Sequence, residues 1–212
     1  MNVELLDSDR RDPLTAALLP VLMHRLNNAT QLLQGLNSLL ALREDASLIE
    51  RRGADLAHAS KTIDEVGWML AVLASASGAD LLLARRDRRG LAPFLTAVHE
   101  ALRRCDRELA PCNVALPDLS SGVADGWQLP WGIGAWLFSS ALLLPERSRL
   151  EWRLENVGGF DEVSCRTPEN AGRDELEKRI AEHLPDARFR RTHSDHSLLL
   201  ARGSLVWERL ST

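Results

Sequence analysis

The first third of the chain carries apolar residues at alternating intervals of three and four positions. Asp12 and Pro13 form a start signal for a helix, with proline in the first turn. The apolar series that follows consists of Leu19, Leu22, Leu26, Ala29, Leu33, Leu36 and Leu40. This spacing predicts a helix that packs at a shallow angle against other helices. Leu18, Leu32 and Leu39 widen the apolar stripe, which favours a four-helix bundle over a two-stranded coiled coil.

A second apolar series with the same spacing follows after a polar break. Ser47, with Glu50 three residues later, resembles a capping box at a helix start. The second series consists of Leu56, Ala59, Ile63, Val66, Leu70 and Leu73. Gly78 is placed to cap the end of the second helix. The pattern over residues 13–77 therefore predicts a helical hairpin. Because two helices bury only part of such stripes, we expect a homodimer that completes a four-helix bundle.

The remainder of the chain alternates between helical and strand patterns. Helices are predicted over Leu91–Leu109, Pro130–Leu144 and Asp174–His183. Strands are predicted over Asn113–Leu116, Leu150–Asn156, Phe160–Arg166, Ala187–Thr192, Ser197–Leu200 and Ser204–Leu210. The expected fold class is therefore α+β, with a helical-hairpin domain at 1–80 and an α/β sandwich at 90–212. The boundary between them falls near the charged segment Arg85–Gly90.

The composition excludes several classes of partner. The chain has 212 residues, with 26 basic and 30 acidic side chains and a net charge of −4, which disfavours an electrostatic nucleic-acid surface. No apolar run approaches the roughly 18 residues that a membrane span needs, and the N-terminus lacks the order of a signal peptide. Cys105, Cys112 and Cys165 are widely spaced and suit free thiols in a reducing compartment. We therefore expect a cytoplasmic protein with no membrane or nucleic-acid partner.

His24 lies in the first helix, two residues after Leu22. If Leu22 and Leu26 occupy positions d and a of the heptad, His24 takes position f, which points away from the seam. An exposed imidazole is a competent nucleophile toward phosphoryl groups near neutral pH, because its neutral form is well populated there. Position alone favours a surface histidine without a role, so the neighbouring residues decide between the two interpretations.

The segment His24–Thr30 reads His-Arg-Leu-Asn-Asn-Ala-Thr. It resembles the H-box of sensor histidine kinases, whose common form is His-Glu/Asp-Leu-Asn-Asn-Pro-Leu. The surroundings are similar too, with an apolar helix before the motif, a helical hairpin around it and a mixed domain after it. The resemblance implies that His24 takes a phosphoryl group, that residues 1–80 form the dimerisation and phosphotransfer domain, and that residues 90–212 correspond to the family's ATP-binding domain.

Three parts of the chain depart from the kinase pattern. Arg25 stands where kinases carry a Glu or Asp that acts as a base toward the histidine, and a guanidinium cannot accept a proton. The family's magnesium-holding asparagine is missing from Leu137–Leu142, which reads Leu-Phe-Ser-Ser-Ala-Leu. Thr167–Gly172 replaces an Asp-x-Gly-x-Gly stretch, and no later glycine-rich segment is present to cradle phosphates. We therefore expect neither ATP binding nor ATP-dependent kinase activity.

A phosphorylatable hairpin joined to such a domain is similar to the histidine phosphotransferases of bacterial phosphorelays that are built on a degenerate kinase core. The resemblance implies that His24 relays phosphoryl groups between aspartates of response-regulator receiver domains, which supply Mg²⁺, and that a hybrid histidine kinase is a further partner. Asn28 matches the position where family phosphatases hold a Thr or Asn that orients water. Arg25, Asn27 and Gln31 are the predicted partner-binding residues, with Arg25 favouring a phosphohistidine or the acidic rim of the receiver.

Two other functions remain open at this point. A catalytically inactive pseudo-histidine-kinase adaptor would bind kinases or response regulators without chemistry, and an active kinase would need an unusual nucleotide site. His193 and His196, with Asp195, have a spacing that suits metal ligands on a helix, but this region reads as a turn between strands and offers no third ligand. Glu100 and Asp106 have no convincing catalytic partner in the sequence. We therefore expect no bound metal and no cofactor of the protein's own.

Overall fold

The computed structural model describes residues 12–43, 52–79, 91–112, 114–115, 127–167, 173–192, 195–201 and 208–209. The predicted capping box of Ser47 and Glu50 lies outside the described residues, as does the charged segment Arg85–Gly90 at the predicted domain boundary. Both therefore stay predictions from the sequence, as does the division of the chain at that boundary.

Two long helices form the predicted hairpin. Helix α1 spans Pro13–Arg43 and helix α2 spans Gly53–Ala76, and the two pack against each other along their length. Asp12 caps the start of α1, because its carboxylate accepts a hydrogen bond from the backbone N–H of Leu14 at 3.4 Å. At the other end, Gly78 follows α2 with a φ of +95°, a conformation that glycine adopts without strain.

The predicted apolar seam of α1 divides between two sides of the helix. Leu22, Ala29 and Leu36 are buried as expected, whereas the side chain of Leu19 is 46% exposed. Leu18, which the spacing places beside the seam, is fully buried. The buried side is rotated from the expected one because α1 packs against the second half of the chain as well as against α2.

Three further helices lie among the described residues after position 90. They are α3 at Leu91–Arg103, α4 at Gln128–Leu142 and α5 at Arg173–His183. The predicted helix Leu91–Leu109 is wrong at its end, because Asp106 turns the backbone with a φ of +54° and the residues that follow form a strand. Helix α4 passes very close to α3 at Gly134, where a Cβ would lie 2.5 Å from the ring of Phe94. Glycine at this position therefore permits the packing of the two helices.

The described part of the chain also contains eight strands. They are β1 at Arg107–Leu109, β2 at Val114–Ala115, β3 at Ser148–Leu150, β4 at Trp152–Val157, β5 at Phe160–Arg166, β6 at Arg188–Arg191, β7 at Asp195–Ala201 and β8 at Glu208–Arg209. The main sheet has four antiparallel strands in the order β4-β5-β7-β6. Strands β1 and β3 form a parallel pair, and β2 and β8 form an antiparallel pair. Gly158 and Gly159, both with positive φ, form the turn between β4 and β5.

One continuous core joins the hairpin to the rest of the chain. It runs from Leu14 and Leu22 of α1 through α3 and α4 to the inner face of the main sheet. Trp68 of α2 meets Phe94 of α3 edge to face, with ring centroids 6.2 Å apart. The predicted fold class, a helical hairpin followed by a unit of helices and sheet, is confirmed. Within the described part of the chain, the helices are too short or too polar to cross a lipid bilayer.

Candidate functional site

His24 projects from α1 into solvent, as its heptad position predicts. The next turn of the helix brings Asn28 beside it, and the amide nitrogen Nδ2 of Asn28 lies 3.2 Å from Nε2 of His24. An amide nitrogen can only donate, so in this arrangement Nε2 accepts the hydrogen bond and Nδ1 carries the ring proton. The lone pair of Nε2 is therefore the nucleophilic one, and because it accepts the exposed hydrogen bond from Asn28, that hydrogen bond must open before Nε2 attacks.

Asn27 and Gln31 share the exposed surface of His24. Both side chains are exposed, and they follow the histidine at intervals of three and seven residues. At 3.6 residues per turn these intervals place them near His24 and Asn28 on one side of the helix. The structure thus brings together four of the five predicted site residues, which we call the H-box surface (His24, Asn27, Asn28 and Gln31).

Arg25 points away from the H-box surface and toward α3. Its Nε donates to Oε2 of Glu100 at 3.0 Å and its Nη2 donates to Oε1 at 2.6 Å, a two-pronged ion pair. The Arg25 side chain is only 18% exposed. The guanidinium therefore joins α1 to the second half of the chain. Sequence reasoning found no partner for Glu100, because nothing local to either residue shows that α1 and α3 lie side by side.

A second polar contact fixes the start of α1. Trp131 of α4 donates from Nε1 to Oδ2 of Asp12 at 3.3 Å, and a guanidinium nitrogen of Arg179 lies 3.5 Å from Oδ1. Asp12 is only 9% exposed, so these partners compensate for the removal of its charge from water. Together with Arg25 and Glu100, this contact attaches the N-terminal half of α1 to α3, α4 and α5.

His183 lies beside this contact, at the end of α5. Its ring meets those of Trp127 and Trp131 edge to face, with centroids 5.0 and 4.9 Å away. Burial between the two indoles lowers the pKa of His183 below its ordinary value, and the nearby Glu182 opposes that shift. The neutral imidazole is therefore the form that the folded protein favours.

Helix α4, where the sequence resemblance led us to look for a magnesium-holding asparagine, is packed with apolar side chains. Leu137, Phe138 and Ala141 of α4 are buried in the core. The ring of Trp136 lies 5.7 Å from that of Phe189 in β6, between α4 and the sheet. The thiol of Cys165 in β5 donates to the hydroxyl oxygen of Ser140 at 3.2 Å across the same interface. Helix α4 thus offers apolar packing surface where a nucleotide site needs polar ligands.

The metal-site alternative gains no support from the part of the chain that is described. No group of three or more His, Cys, Asp and Glu side chains lies close enough to hold an ion among those residues. His196 is 2% exposed inside β7, and Asp195 begins the strand, so this segment is a strand where the sequence indicated a turn. His193 lies outside the described residues.

Comparison with known proteins gives similarity at low sequence identity. No protein-family model matches the chain, and no curated protein matches it. The solved histidine kinase AdeS of Acinetobacter baumannii is 14% identical, with a TM-score of 0.37 over 84% of this chain and 97% of that one. A structure described as a bacterial phosphotransferase is 15% identical, with a TM-score of 0.38 over 88% and 94% of the two chains. A histidine kinase from Burkholderia phymatum is 12% identical, with a TM-score of 0.39 over 87% and 98%. At these values the assignment of function depends on the side chains described above.

Proposed function

We propose that the protein is a histidine phosphotransferase of a two-component phosphorelay, in which His24 carries the phosphoryl group between aspartates of receiver domains. The single observation that carries the proposal is the exposed Nε2 of His24, 3.2 Å from the amide of Asn28 within a motif of H-box type. A surface histidine without a role needs no such neighbour. Here the neighbour orients the ring and leaves the proton on Nδ1.

The transfer step follows from that geometry. Nε2 attacks the phosphorus of a receiver aspartyl phosphate in line, the N–P bond forms, and the aspartate carboxylate leaves with the electron pair of the broken O–P bond. The proton on Nδ1 stays on the ring, and its positive charge offsets part of the charge of the new phosphoryl group. The receiver supplies Mg²⁺ and its acidic pocket, so this chain needs no metal of its own. The reverse step passes the group to a second receiver.

The attachment of α1 to the second half of the chain favours a partner, rather than ATP, as the source of phosphoryl. A kinase must bring its nucleotide to the histidine, which requires a domain that moves relative to the helix. Here Leu14 and Leu22 share one core with α3 and α4, and Arg25 is paired with Glu100. The apolar surface of α4 supports the same conclusion, because it offers no ligand for Mg²⁺ or adenine.

The proposed phosphotransferase is a homodimer that pairs through the exposed apolar side chains of α1. The side chains of Leu19 and Met23 are each 46% exposed and lie one turn apart on α1. Exposed leucine and methionine at heptad positions are typical of a helix that buries them against another copy. A two-fold pairing of hairpins would cover them and leave the H-box surface of each copy accessible to a receiver.

Phosphotransfer from a labelled receiver tests the function. The purified protein is incubated with radiolabelled receiver domains of its own genome, with Mg²⁺ and without ATP. We expect acid-labile, base-stable label on the wild type and on His58→Gln, a matched control because His58 is the exposed histidine of α2. His24→Gln should take no label and should stay folded. A folded His24→Gln variant that still accepts phosphoryl would contradict the proposal.

A catalytically inactive adaptor is the second candidate. The observation that favours it is the pairing of Arg25 with Glu100, which withdraws the charge beside His24 from the reacting group. An adaptor would bind a kinase or a response regulator through the H-box surface and regulate it without chemistry. It predicts that His24→Gln leaves regulation of the partner unchanged, whereas a phosphotransferase loses it.

A further inference from the structure

The outer face of the main sheet carries a row of polar side chains that crosses all four strands. The strand register aligns Arg153 of β4 with Ser164 of β5, Ser164 with Ser197 of β7, and Ser197 with Arg190 of β6. Neighbouring strands lie about 4.8 Å apart, so the two hydroxyls lie side by side with a guanidinium at each end of the row. Among the described residues, Arg153 has no ion-pair partner.

The next row holds two carboxylates. Glu155 of β4 faces Glu162 of β5 in the register. Glu162 is 3% exposed, and its Oε1 accepts a hydrogen bond from the guanidinium of Arg190. Its other oxygen, Oε2, is buried and accepts no hydrogen bond from the described part of the chain. A buried carboxylate oxygen without a donor keeps the full cost of its removal from water. This oxygen is therefore placed to receive a donor from a bound molecule.

A cavity connects the two rows. It has a volume of about 220 Å³, and its lining includes Arg153, Glu155, Glu162, Ser164 and Ser197. Drug-sized ligands occupy clefts of roughly 300–1,000 Å³, so this one suits a smaller molecule. Adjacent rows on one face of a strand are about 6.6 Å apart, which is close enough for one short ligand to reach both.

We propose that this cavity binds a small zwitterion, an amino acid that carries one ammonium and one carboxylate. The ammonium would donate to Oε2 of Glu162 and lie beside Glu155. The carboxylate would accept hydrogen bonds from Arg153 and from the hydroxyls of Ser164 and Ser197. Arg190 is paired with Glu162, and Arg166, which also lines the cavity, lies within 4.0 Å of Glu151 and Asp195. Within the two rows this leaves Arg153 and Glu155 without an ion-pair partner among the described residues, so a ligand with one positive and one negative end matches both. The site lies on the face of the sheet opposite to the helices, away from the H-box surface.

Calorimetric titration of the full chain tests the site. The probes are glycine and γ-aminobutyrate, with the N-acetyl and methyl-ester derivative of each as matched ligands that lack one charge. We expect saturable binding of at least one free amino acid and loss of binding for both of its derivatives. Inorganic phosphate alone should bind weakly or not at all. Failure of every free amino acid to bind, or equal binding of an N-acetyl derivative, would overturn the proposal.

Variants then locate the binding. Glu162→Gln and Arg153→Gln should each weaken the affinity by roughly tenfold or more, because each removes a charged partner. Glu146→Gln is the control, since this exposed glutamate lies outside the cavity lining. Because Arg153 is exposed, we expect Arg153→Gln to fold, so this variant still tests the site if Glu162→Gln fails to fold. Unchanged affinity in a folded Arg153→Gln variant would contradict the assigned site.

Discussion

Two neighbouring sides of the N-terminal half of α1 differ in what they contact. On one side, Leu14, Leu18 and Leu22 are at most 1% exposed and belong to the core shared with the second half of the chain. On the other side, His24 and Asn28 are exposed and make their only described contact with each other. One helix thus supplies both the anchor and the surface that we propose to be reactive. A rigidly held helix would present the proposed nucleophile in a fixed position without burying it.

The largest expected effect comes from the anchored side. Leu18→Ala removes a fully buried side chain between α1 and the rest of the core, so we expect the free energy of unfolding to fall by about 2–5 kcal/mol. Asn27→Ala on the exposed side is the matched change, with an expected effect within about 0.5 kcal/mol. Denaturant unfolding of both variants measures the difference. Equal effects would show that α1 is not held by the second half of the chain.

The second expected effect concerns the exposed leucine and methionine of α1. Leu19→Glu places a charge on the surface that the proposed dimer buries, so we expect dissociation to monomers, with an affinity loss on the order of 2 kcal/mol or more. Because Leu19 is 46% exposed within one chain, the secondary structure should be retained. Sedimentation velocity of the wild type and the variant measures the change. A wild type that is monomeric, or a variant that is still dimeric, would place the interface elsewhere or exclude it.

A smaller effect is expected at the ion pair between α1 and α3. The pair is two-pronged, but the side chain of Glu100 is 44% exposed, so solvent screening keeps its contribution near 1 kcal/mol or less. Arg25→Ala, Glu100→Ala and the double variant form a cycle in which the two effects should not add. Denaturant unfolding gives the coupling energy. Additive effects would show that the two residues do not interact in solution.

The smallest effect is a dependence of stability on pH. Burial between Trp127 and Trp131 lowers the pKa of His183 in the folded state. When the pH falls through the ordinary histidine value of about 6.5, the unfolded chain therefore binds a proton that the folded chain does not, and the free energy of unfolding decreases. The contribution of His183 to stability is complete above that value and is lost as the pH falls below it. His183→Gln should therefore flatten the acid side of a melting-temperature profile relative to the wild type. An identical profile for wild type and His183→Gln would contradict the lowered pKa.

The sequence predicted the parts of the fold that depend on local spacing. The hairpin, the exposure of His24 and the four strands of the main sheet all follow from periodicity of three to four or of two residues. The end of α3 was not predictable, because the turn at Asp106 depends on a left-handed backbone that no glycine signals. The pairing of Arg25 with Glu100 was not predictable either, since it joins residues 75 positions apart. The cavity beside Glu162 was not predictable from the sequence, because its lining residues come together only when the strands of the main sheet align.

The position of the phosphoryl group on the imidazole tests the central claim most directly. The protein is phosphorylated by a receiver domain and examined by phosphorus and proton-detected nitrogen NMR, with His24→Gln as the reference. The geometry of His24 and Asn28 predicts one phosphoramidate signal, on Nε2 of His24, which is absent from the variant. Phosphate on Nδ1, on another side chain, or on no residue despite receiver binding would contradict the claim that Nε2 of His24 is the phosphoacceptor.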